Sequence, residues 1–160
     1  MNNYSRLEKI LHKFALSSQL MREVTFDVES SLNSSKILND NHLFIAGLAR
    51  SGTTILLNAI YESNLFASLT YEDMPFVLAP NLWSKISLKN NKFEFKERAH
   101  GDGIKFSIKS PEAFEEVFWK TFDQNENETI DIFKIYINHI ISKYQKKRYL
   151  SKNNQNIRRI

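Results

Sequence analysis

The 160-residue chain has no cysteine, which excludes disulfides and thiolate-ligated metals and fits a reducing compartment. No stretch approaches the ~18 consecutive apolar residues that a bilayer-spanning helix needs, and the N-terminus lacks the cationic, apolar and cleavage-site order of a secretory leader. We therefore expect a cytoplasmic protein without stable membrane insertion. RNP-like, zinc-finger and homeodomain patterns are missing too. The net charge of +4, with a pI near 9.2, is then no argument for nucleic acid, because a polyanionic small ligand suits a mildly basic protein equally well. What is present is ordinary globular material. At 42% hydrophobic and 25% charged, the chain is long enough for one domain with a real core and too short for two.

The most informative stretch is HLFIAGLARSGTTILLNAI, residues 42 to 60. Leu43, Phe44 and Ile45 form an uninterrupted apolar run, so 42–46 is predicted to be a strand covered on both faces. Gly47 to Gly52 reads as a turn. Thr53 to Glu62 reads as a helix with Ile55, Leu56, Ala59 and Ile60 on one face. A strand, loop and helix in that order gather backbone N–H groups and the positive end of a helix dipole at the loop, which suits an anion. Gly47 and Gly52 have the spacing of a nucleotide-binding P-loop, but a lysine is missing from it: Thr53 stands where a nucleotide hydrolase keeps that residue. Positive charge comes instead from Arg50, whose planar fork of donors suits phosphate or sulfate. The hydroxyls of Ser51, Thr53 and Thr54 surround it.

On these residues, GLARSGTT resembles the 5′-phosphosulfate-binding loop of sulfotransferases, which follows the first strand as G-x-P-[RK]-[ST]-G-[ST]-[TS]. Ala49 departs from the usual proline, which removes no donor because proline has no N–H. The resemblance implies a three-layer α/β fold with a mostly parallel sheet and P-loop-like topology. It also implies 3′-phosphoadenosine-5′-phosphosulfate as sulfuryl donor, no metal, and a hydroxyl or amine on a small-molecule, glycan or peptide acceptor. The cofactor-binding residues would be Gly47, Arg50, Ser51, Gly52, Thr53 and Thr54. An acidic residue about as far downstream as Glu72 often takes the acceptor's proton in that family, so Glu72 is the expected base, with Asp73 and then His100 behind it. Asp73 also reads as a helix N-cap preceding Pro75. A lysine-containing turn after a later strand contributes to such sites. Both IKSPE at 108–112 and YLSKNN at 149–154 resemble it, and Lys152 is the preferred residue.

Elsewhere the pattern is helical and amphipathic at about 4–22, where Leu7, Ile10, Leu11, Phe14 and Met21 recur at helical spacing. It then mixes a short helix with Ser-rich breaks over 24–38. Residues 65–71 read as extended, 74–90 as helix interrupted near Pro80, and 89–98 as an edge strand or loop. Residues 104–108 read as a half-buried strand, and Ser110-Pro111-Glu112 as a helix start. Thr129 to Lys143 is the clearest amphipathic helix, with His139 beside its apolar stripe as a structural residue. Lys146 to Leu150 reads as a short strand.

The resemblance covers residues 42 to 160 and does not reach the arginine-ending strand and helical serine that hold the donor's 3′-phosphate in the family. The expectation is therefore one domain over 1–160 that forms the N-terminal part of a sulfotransferase fold. Its sheet would be incomplete, with an exposed edge through which copies of the chain could associate. Two other readings stand beside it. One is a kinase-like or nucleotide-hydrolysing P-loop enzyme, and the other is a non-catalytic anion-binding or interaction protein.

Overall fold

The computed structural model describes residues 18–33, 41–87, 96–97, 105–122 and 126–158. Among the described residues it is a mixed α/β structure with five α-helices: α1 (Gln19–Leu32), α2 (Thr53–Tyr61), α3 (Pro80–Ile86), α4 (Glu116–Phe122) and α5 (Glu126–Tyr144). Three parallel strands, β1 (Leu43–Ile45), β2 (Phe66–Ala67) and β5 (Arg148–Lys152), form a sheet in the order β1-β5-β2. A separate antiparallel pair joins β3 (Lys96–Glu97) to β4 (Lys105–Phe106). No described helix is long and apolar enough to cross a membrane.

The last strand in the chain is thus the middle one of its sheet. Leu43 lies opposite Leu150 and Ile45 opposite Lys152, while Phe66 lies opposite Arg148. The latter pair is reinforced by the Arg148 guanidinium, 4.5 Å from the centre of the Phe66 ring. Alternation along β5 sends successive side chains to two different cores. Leu150 packs with Ile45, Leu57 and Phe66 beneath α2. Tyr149 joins the larger core of Phe26, Leu69, Phe118, Tyr136, Ile137 and Ile140 beneath α5. The uninterrupted apolar run of β1 predicts cover on both faces, and the structure differs. β1 is an outer strand, so only Ile45 is buried and Phe44 keeps 43% of its surface exposed.

Helix α1 runs unbroken through 24–32, where the serines suggest breaks. Its start is capped by Ser18, whose Oγ accepts from the Met21 N–H at 3.2 Å. Ser30 and Ser31 donate back to the carbonyls of Phe26 and Asp27, each at 2.9 Å, satisfying their hydroxyls without leaving the helix. Residues 4–17 of the expected amphipathic helix lie outside the described residues. Glu29, fully buried, anchors α1 to the rest of the fold: it accepts from the N–H groups of Asn81 (3.0 Å) and Leu82 (2.8 Å) and from the Asn81 amide (2.6 Å). Those N–H groups open α3, so a carboxylate from a distant helix supplies the cap that Ala79 cannot.

Candidate anion-binding site

The loop between β1 and α2 is shaped by two glycines for different reasons. A Cβ on Gly47 would sit 2.8 Å from Thr53 Cγ2 and 2.9 Å from Ser51 Oγ, so the loop closes over space that only glycine leaves. Gly52 has φ of 83° and Arg50 has φ of 65°. Left-handed residues in a turn of this kind orient successive N–H groups to a common side. The Ser51 N–H and hydroxyl both return to the Leu48 carbonyl, at 3.2 and 2.7 Å. Gly52 is the N-cap of α2 and brings no side-chain cap, and the first turn of a helix has N–H groups without intrahelical partners. Arg50 is exposed at the rim.

A second cation reaches the same helix start from the neighbouring strand. Lys152 is the last residue of β5, opposite Ile45, and not part of a turn after the strand. Its Nζ donates to Thr54 Oγ1 at 2.9 Å and lies 3.6 Å from Glu112 Oε1. The next residue extends the ladder, the Asn153 N–H donating to the Ile45 carbonyl at 3.1 Å. The structure therefore gathers Gly47, Arg50, Ser51, Gly52, Thr53, Thr54 and Lys152 at the carboxyl ends of β1 and β5, where ligands bind in open parallel sheets.

Glu112, beside Lys152, is the neighbour of this group that sequence reasoning overlooks. Ser110-Pro111-Glu112 does not begin a helix. Pro111 forms an isolated bridge with Thr70, Ser110 Oγ accepts from the Ser107 N–H at 2.9 Å, and α4 starts only at Glu116. Pairing with residues 69–71 beyond β2 brings Glu112 inward, its N–H donating to the Leu69 carbonyl at 3.1 Å. Glu112 Oε2 accepts from the Tyr71 hydroxyl and Oε1 from the Ala113 N–H, both at 2.9 Å. The other candidate lysine motif thus contributes its glutamate, while Lys109 is exposed in the Ser107–Ser110 turn.

Glu72 and Asp73 lie in the 3-10 turn Tyr71–Asp73 that follows β2. Asp73 is the third residue of a capping box whose N-cap is Thr70, and not an N-cap itself. It is fully buried, accepting from the Thr70 N–H and the Tyr144 hydroxyl, both at 2.6 Å, and pairing with Lys143. Burial first, and the Asp73 charge second, push the Tyr144 hydroxyl far up from its ordinary pKa. Glu72 is held by its backbone. Its N–H donates to Thr70 Oγ1 at 3.3 Å and its carbonyl accepts from the Trp83 indole at 2.9 Å. Its charge is felt at Tyr61, the far end of α2 from the loop, where burial, Asp73 and then Glu72 raise the phenol's pKa. Among the described residues, the Glu72 carboxylate makes no hydrogen bond or ion pair with the loop.

His100 lies outside the described residues. His139 is buried against Phe26, and burial lowers its pKa to about 4, as a structural histidine. No cluster of three or more His, Asp or Glu among the described residues is placed to hold a metal ion. No family model, curated protein or solved structure matches the chain.

Proposed function

We propose that the chain is a sulfotransferase-type domain. In this reading the loop 47–52 and Lys152 hold the 5′-phosphosulfate end of 3′-phosphoadenosine-5′-phosphosulfate, and the parallel sheet is the core of a P-loop-like topology. The observation that carries the proposal is the approach of Lys152, from the centre of the sheet, to Thr54 in the first turn of α2. A lysine absent from the loop is thereby supplied by β5. Thr53 and Ser51 pack so closely over Gly47 that a Cβ there would strike both, and the tight loop this makes leads straight into the first turn of α2, where backbone N–H groups can meet an anion.

When bound, that donor supplies a sulfuryl group and a nucleotide leaving group. Arg50 and Lys152 offset negative charge at the loop, the first-turn N–H groups of α2 add neutral donors, and the hydroxyls of Thr53 and Thr54 complete the polar wall. In this reading Glu72, on a backbone fixed by Thr70 and Trp83, takes the proton released by a hydroxyl or amine on a small-molecule, glycan or peptide acceptor.

Thermal unfolding tests the proposal. Adenosine 3′,5′-bisphosphate at about 100 times its Kd should stabilise the fold by ~2.7 kcal/mol, a rise of about 5–10 °C in Tm, with or without magnesium. R50A and K152A should each reduce that rise. Stabilisation by ATP that requires magnesium would replace this reading with a kinase-like one, and no response to either nucleotide would leave a non-catalytic interaction protein.

A further inference from the structure

We propose that Glu112 is a positioning residue that holds the Lys152 ammonium in reserve and sets how tightly the loop binds an anion; this rests on the anion-site reading above. Lys152 and Glu112 are each only 12% exposed, so water screens them weakly and each charge is strongly felt by the other. The ammonium lies between two partners of different character, the Thr54 hydroxyl in the first turn of α2 and the Glu112 carboxylate. Thr54 leads toward the loop and Glu112 leads away from it. The carboxylate is itself fixed from two sides by the Tyr71 hydroxyl and the Ala113 N–H. It therefore cannot follow the lysine when an anion draws the ammonium toward the loop. Binding an anion loosens the Glu112 contact, and a carboxylate near a bound anion adds repulsion. Both effects lower affinity, and both favour release of a charged product.

The sign of the effect separates this role from a merely structural one. Removing a residue that only supports the site weakens binding, whereas neutralising Glu112 should strengthen it. E112Q keeps an amide oxygen to accept from the Ala113 N–H and places an NH2 group that can donate to the Tyr71 hydroxyl oxygen, while removing the charge. In calorimetric titrations at fixed ionic strength, E112Q should bind adenosine 3′,5′-bisphosphate about threefold to tenfold more tightly than the wild type. K152M should bind it at least tenfold more weakly. In the K152M background the E112Q gain should fall to less than half, because there is no ammonium left to release.

Unchanged or weaker binding by E112Q overturns the assignment. So does an equal gain with and without Lys152, which would make Glu112 a direct repeller of the anion. Inorganic pyrophosphate, titrated in parallel, separates the Glu112 role from the donor assignment. If pyrophosphate binds and responds to E112Q while the bisphosphate nucleotide does not bind, the sulfotransferase reading fails and the Glu112 role stands. If neither probe binds the wild type, both fail.

Discussion

Replacing Gly47 with alanine adds one methyl group to the tightest point of the loop, and the structure gives its surroundings. Gly47 has no left-handed backbone angle to lose, so the penalty is steric and comes from two contacts, 2.8 Å to Thr53 Cγ2 and 2.9 Å to Ser51 Oγ. Neither neighbour moves freely. Ser51 Oγ is committed to the Leu48 carbonyl at 2.7 Å, and Thr53 is a β-branched residue in the first turn of a helix, where χ1 is restricted. Overpacking of this kind costs about 1–3 kcal/mol, which lowers Tm by ~2–4 °C for each kcal/mol in a chain of this size. The assay is urea unfolding of the wild type, G47A, T53S and the double variant. T53S deletes the methyl group that the new Cβ would strike, so the double variant should recover at least ~0.5–1 kcal/mol beyond additivity. G52A supplies the contrast. A Cβ there meets nothing within 4 Å, and φ of 83° should make its cost one of conformation, about 1–2 kcal/mol, that asparagine partly relieves. Strict additivity in the G47A/T53S cycle would refute the steric account of the loop.

Two further outcomes test the polar interior. The buried imidazole of His139 titrates near 4, whereas an unfolded histidine titrates near 6.5. Between those values the unfolded chain binds more protons, so His139 should remove about 3 kcal/mol of stability as pH falls from ~6.5 to ~4. H139Q should lack that component, which is read from urea unfolding of both proteins at pH 7 and 4.5; parallel losses of stability would contradict it. D73N should cost ~3–5 kcal/mol, because the Lys143 ammonium, 11% exposed, then has no counter-charge. K143M should recover part of that loss, and E72Q should unfold like the wild type. A D73N protein as stable as the wild type would return Asp73 to consideration as a base.

The elements legible in the sequence are those set by neighbours in the chain. The apolar run of β1, the glycines around the loop and the helical period of α5 each lie within a few turns of backbone, and the structure places all of them within a few residues of their expected bounds. Sequence and structure part where a residue has both a local and a distant option. Ser30 and Ser31 look like breaks, yet their hydroxyls find carbonyls one turn back and leave the helix intact. Ser110 and Pro111 look like a helix start, yet Pro111 bridges Thr70, a pairing that no spacing within 108–112 encodes. The candidate site divides in the same way. Its loop is contiguous and readable, but the Tyr71, Glu112 and Lys152 cluster is assembled from three segments. Glu112 gives no signal beyond its place in a motif that draws attention to its lysine. Asp73 reads as a cap, which is the right kind of role in the wrong position, because its partner Thr70 lies on the strand side of the turn.

The contact between Glu29 and the start of α3 bears on where this protein can be divided. A shortened chain begun at residue 41, just before β1, would keep the loop, the sheet and Lys152. It would still lose the carboxylate that satisfies Asn81 and Leu82, the Phe26 ring packed against Phe118 and Phe122, and the Arg22 hydrogen bond to Thr121. A shortened chain that keeps these contacts and the cap on α1 therefore begins no later than Ser18, and α1 supplied as a separate peptide has a ready-made berth between α3, α4 and α5.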